Sequence, residues 1–137
     1  MKFVLILVSS TVLLGCASTH NLSAGPNYLG GGVSTTELKP GFFRIVARTN
    51  FAPWSNYSAA KSSWEKLANS ACGEGKWKEI AVKEQAHDTG MNPLGFVPYI
   101  VTERIGYVLC RHSPITIQEA KSVVLEQVEM RAAHLRE

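Results

Sequence analysis

Cys110, Arg111 and His112 stand side by side, and a thiol close to an imidazole is the raw material of a nucleophilic cysteine. Such a pair works only if the base reaches the sulfur and a third group orients the ring. On an extended chain Cys110 and His112 project to the same side without having to touch, and no acidic or amide residue is placed to orient His112. Neither Cys72 nor Cys110 has the Cys-x-x-Cys spacing of a redox motif. Thiol catalysis is not expected.

The histidines are His20, His87, His112 and His134, and none has the i, i+4 partner that builds a zinc site on a helix. His87-Asp88 could open an acid–base or metal site, because it begins a polar stretch, residues 88–95, that contains Gly90, Asn92, Pro93 and Gly95. A hydrolase or small-ligand binder would use that loop with His87, Asp88 and His112. His134 more simply complements the negative end of a helix. Glu65, Glu74, Glu79 and Glu84 alternate with Lys61, Lys66, Lys78 and Lys83 as solvated faces do. Trp54 follows Pro53 in a loop, either as an exposed binding anchor or as a residue stapling the next helix. These patterns imply no cofactor and no metal.

The chain has 137 residues, a formal charge of +3 and 45% hydrophobic residues. That length suits one domain of about 100–150 residues. The charge falls far short of the clustered basic excess that nucleic acid requires, so nucleic-acid binding is excluded.

Lys2 and the apolar run over residues 3–14 have the form of a signal peptide, too short to span a membrane. The run ends in Leu13-Leu14-Gly15-Cys16-Ala17-Ser18, which resembles the lipobox of bacterial lipoproteins. Small Gly15 admits the peptidase, and only a thiol can take the thioether-linked diacylglycerol. The resemblance implies that residues 1–15 are removed and that Cys16 carries the lipid and inserts into a membrane. Ala17, where Asp would favour inner-membrane retention, implies the outer membrane facing the periplasm in a Gram-negative cell.

Residues 17–32 hold no Lys, Arg, Asp or Glu and are rich in Gly, Ser, Thr and Asn, which predicts a flexible leash. The tether is drawn over residues 16–36 and a single domain over 37–137. Within it, residues 42–49 read as a strand, with Phe43, Ile45 and Ala47 on one face and Arg44 and Arg48 on the other. Tyr57, Ala60, Trp64, Leu67, Ala68 and Ala71 recur at helical spacing, and Gly73 follows as a C-terminal cap. Strands are predicted over 77–85 and 97–111, the second with a bend or bulge at Gly106 and a late or edge entry after Pro98. Thr116 and Glu119 have the spacing of a capping box. Behind it Ile117, Ala120, Val124, Val128, Ala132 and Leu135 form an apolar stripe. The predicted fold is α+β, ordered β-α-β-β-α, with both helices on one face of an antiparallel or mixed sheet.

With Cys16 lipidated, Cys72 and Cys110 remain, and an even pair in an exported protein predicts a disulfide. Gly31-Gly32-Val33-Ser34, followed by Leu38, Phe42-Phe43-Arg44-Ile45 and Asn50, resembles the mature start of a family of small bacterial envelope lipoproteins of uncharacterised function. In that family a Gly-Gly-aromatic-Ser stretch leads into a strand and an Ala-rich helix. Val33 stands here where the aromatic residue is expected, and the likeness covers about residues 31–72. It implies no catalytic residues. The expectation is a non-enzymatic, lipid-anchored protein with a partner in the envelope, acting in assembly, sensing or inhibition. A purely structural link from membrane to cell wall lacks the terminal Lys or heptad repeat that some such proteins use.

Overall fold

Phe42-Phe43-Arg44-Ile45-Val46-Ala47 is apolar at every position but one, and a strand of that composition needs cover on both faces. The computed structural model, which describes residues 20–90 and 98–134, shows that cover. The strands are β1 (Gly32–Lys39), β2 (Phe42–Arg48), β3 (Trp77–Asp88) and β4 (Ile100–Cys110). The helices are α1 (Tyr57–Cys72), between β2 and β3, and α2 (Ile117–His134), after β4. The sheet is antiparallel throughout, in the order β1-β2-β4-β3. The class is α+β. The leader, Cys16, Leu135 and residues 91–97 of the predicted polar loop lie outside the described residues.

Three expectations are corrected. The element order is β-β-α-β-β-α, because β1 begins at Gly32, inside the stretch assigned to the tether. Ahead of it, residues 20–31 are bonded to the domain: the His20 carbonyl accepts from the Val33 amide at 2.6 Å, and the Leu29 carbonyl from the Phe51 amide at 2.9 Å. Asn27 closes this segment through its side chain, which donates to Asn50 and accepts from the amides of Leu29 and Gly31, each at 2.9 Å. Hydrogen bonding to the edge of a formed sheet holds what apolar burial alone would not.

The helices cover opposite faces of the sheet, not the same one. On one face α1 packs Trp64, Ala68 and Cys72 against Ile45, Ala47, Val108 and Cys110. On the other α2 packs Ala120, with Ile117, Val123 and Val124, against Phe42, Tyr107 and Leu109. Strand parity enforces the division, since Phe42 and Phe43 must point to opposite sides. A bulge in β3 between Glu79 and Ala81 sends Ile80 into the α2 layer and Val82 into the α1 layer.

The irregularity falls there and not at Gly106, which is paired in register with both Ile45 and Val82. A Cβ at Gly106 would lie 2.7 Å from Val82 Cγ2 and 2.9 Å from Trp64 Cζ2. The glycine makes room for the indole. Trp64 is fully buried, donates from Nε1 to the Ile45 carbonyl at 3.1 Å and meets Trp77 edge-on at 5.6 Å. Beside it a disulfide joins Cys72 of α1 to Cys110 of β4, with Cα atoms 5.1 Å apart.

The helix boundaries follow the predicted signals at Gly73, Thr116 and Glu119, and the structure adds a cap at Asn56. Asn56 caps α1 by accepting from the Ala59 amide at 3.1 Å, and Gly73, at φ 89°, ends it. At α2 the Thr116 amide donates to Glu119 at 2.6 Å and the Glu119 amide to Thr116 Oγ1 at 3.2 Å. The apolar stripe of α2 outruns its cover at Val128, which is 56% exposed, and Leu125 and Met130, off the stripe, are 63% and 50% exposed.

Candidate functional site

The residues singled out from the sequence do not converge. His87 and Asp88 end β3, opposite Val101 and Ile100 at the start of β4. His112 follows Cys110 at the far end of β4. An eleven-residue strand separates them by roughly 30 Å, so His87 and His112 cannot serve one site. The Asp88 carboxylate accepts from the Gly90 amide at 2.9 Å and so shapes a turn. Trp54, 54% exposed, is not buried as a staple; it stands between β2 and α1, at the same end of the sheet as His87. Cys72 and Cys110 are consumed by their disulfide. Among the described residues no group of three His, Cys, Asp or Glu side chains is placed to hold a metal ion.

A different set of side chains does converge, on the α2 face of the sheet. β2 directs Arg44, Val46 and Arg48 to that face, and β4 places Tyr107, Ile105 and Glu103 directly opposite them. The first half of α2 covers Phe42, Tyr107 and Leu109, and its last turn carries Arg131. Between that turn, the exposed part of the sheet and the segment bearing Leu22 and Pro26 lies a groove of about 350 Å³. It is lined by Arg44, Arg48, Glu103 and Arg131 over Val46 and Ile105.

The polar groups of this groove are unequally matched. Glu103 is 2% exposed and bound twice, by Arg48 Nε in an ion pair and by Gln85 Nε2 at 2.9 Å. A buried carboxylate held this way is satisfied. The Nε of Arg44 is buried and has no hydrogen-bond partner among the described residues. Burial pushes the Arg44 guanidinium below its ordinary pKa and nearby Arg131 adds to the effect, while Tyr107 and Glu103 oppose it. Arg44 nonetheless stays cationic at neutral pH.

The α1 face carries a counter-example. Arg104, buried above the Trp64 ring at 4.9 Å, is clamped between Glu84 and Glu79, the latter at 2.9 Å. The charge of that arginine is met by two carboxylates of β3, although its Nε, like that of Arg44, is buried with no hydrogen-bond partner among the described residues. The groove on the opposite face keeps its positive charge, and what it offers is binding: guanidinium donors above an apolar floor.

Arg44, Arg48, Glu103 and Arg131 were missed from the sequence because each alone resembles a surface charge. One signal was present. Thr102-Glu103-Arg104 interrupts an otherwise largely apolar strand from Ile100 to Cys110, and charges there must be either paired or functional.

Compared with protein-family models, curated proteins and solved structures, the chain finds no match in any of the three.

Proposed function

We propose that this is a lipid-anchored envelope protein, held on the membrane through Cys16, that acts by binding another envelope component and not by catalysis. The observation that carries this reading is the Cys72–Cys110 disulfide in the core between α1 and β4. Structural disulfides persist in oxidising compartments such as the periplasm and are rare in the cytosol. The pairing leaves Cys16 as the third cysteine, at the lipobox position, where an unpaired thiol has a use. Binding is favoured over catalysis because the conspicuous polar side chains are spent on architecture: Glu103 on Arg48 and Gln85, and Arg104 on Glu79 and Glu84. The competing hydrolase reading needs His87 and His112 together, and β4 keeps them apart.

Metabolic labelling with an alkyne analogue of palmitate tests the anchor. The protein should take up label and fractionate with membranes, and Cys16→Ser should lose both. Label that survives Cys16→Ser would overturn the assignment. In-cell cross-linking with capture and mass spectrometry tests the second half. One dominant envelope protein should be recovered with the labelled chain and lost with Cys16→Ser. Recovery of the chain alone, in good yield, would overturn partner binding.

A further inference from the structure

Three guanidinium groups face the groove on the α2 side, and its single carboxylate, Glu103, is already engaged. The lining therefore carries a net charge of +2. Arg44 comes from β2 and Arg131 from the last turn of α2, so the fold itself brings two like charges together. The buried Nε of Arg44 has no acceptor among the described residues; the same is true of Arg104 Nε, but Arg104 has two carboxylates on its terminal nitrogens, whereas Arg44 faces a groove of net positive charge. A buried donor left unmatched is destabilising, and two cations brought close together repel each other. An anion seated between the two arginines removes both penalties. Arg48 and Glu103 offset each other on the same wall, so the net charge rests on Arg44 and Arg131.

The apolar lining narrows the class of anion. Val46, Ile105, Leu22 and Pro26 border the same space, and a bare hydrated ion would leave that surface unmatched. We propose that the groove binds a small organic anion, its carboxylate or phosphate held between Arg44 and Arg131 and its short apolar body laid against Val46, Ile105 and Leu22. Planar guanidinium donors suit both oxyanions, which accept two parallel hydrogen bonds. The site depends neither on the lipid on Cys16 nor on a protein partner.

Calorimetric titration of the full-length protein in phosphatidylcholine nanodiscs tests this, with hexyl phosphate, hexanoate, inorganic phosphate and hexanol as probes. The two amphiphilic anions should bind and hexanol should not. Arg131→Gln should weaken hexyl phosphate by about tenfold or more, the loss of one charge-assisted hydrogen bond, and Arg44→Gln by as much. Arg131 is exposed, so its replacement tests the site even if Arg44→Gln fails to fold. An unchanged thermal midpoint without ligand checks that the Arg131→Gln fold is intact. Competition by dihexanoyl phosphatidylglycerol, with dihexanoyl phosphatidylcholine as control, separates the sources. Displacement by the first alone supports the site with a lipid headgroup as occupant, and no displacement by either supports it with a soluble anion. Inorganic phosphate binding as tightly as hexyl phosphate would overturn the organic-anion assignment. Failure of both amphiphilic anions to bind, or affinity indifferent to Arg131→Gln, would overturn the site itself.

Discussion

Gly106 shows how one missing methyl group can organise a core. The sequence offers a glycine within an apolar strand, which reads naturally as a bend; only the position of Trp64, forty-two residues earlier, reveals that the space belongs to an indole. A methyl group there also approaches the Ala81 carbonyl to 3.0 Å, so neither side can yield easily. Gly106→Ala should lower unfolding stability by about 1–3 kcal/mol through overpacking, read as a shift in the urea midpoint. Trp64 fluorescence should shift with it, because the ring must tilt to accommodate the methyl. The groove arginines were hidden for a related reason. Arg48 meets Glu103 only through the β2–β4 register, and Arg131 meets Arg44 only after α2 has crossed the sheet.

At the scale of elements, local signals were legible and edges were not. Gly73, Thr116 and Glu119 mark their helix ends through groups a few residues away, so spacing alone sufficed; Asn56, which caps the start of α1, was not singled out. β1 has no such marks. It is an edge strand with mostly exposed side chains at its centre, and its stability comes from hydrogen bonds to β2. The apolar stripe of each helix was likewise visible, but not which face of the sheet it would cover. That choice followed from β2, whose nearly unbroken apolar run was read as simple alternation.

The α2 cap also carries a pH signature. Hydrogen bonds from the Thr116 amide and hydroxyl hold the Glu119 carboxyl below the usual glutamate value. A depressed folded value means that the cap's contribution is present above the ordinary glutamate range and lost as pH falls through the folded value. The first turn of α2 should therefore fray in acid before the sheet does, seen as faster amide exchange at Thr116 and Glu119. Glu119→Gln should flatten that pH dependence.

For the whole molecule, the disulfide bears on stability more than on chemistry. It closes a chain separation of 38 residues between α1 and β4, and through them it pins one helix to a central strand. Replacing Cys72 and Cys110 by Ala should lower stability by about 2–4 kcal/mol, measured as a drop in urea midpoint that the reduced native protein reproduces. The effect should be sharpest on the α1 side, since α2 packs on the far face without it. The folding of residues 20–31 onto the sheet has a different consequence, a matter of reach. If Cys16 sits in the bilayer, only four peptide steps separate it from His20, whose carbonyl is already bonded to β1. Those steps span at most about 14 Å when fully extended. The domain then rides as a short-stemmed bead on the lipid surface, and its encounters are confined to whatever passes within touching distance of the headgroups.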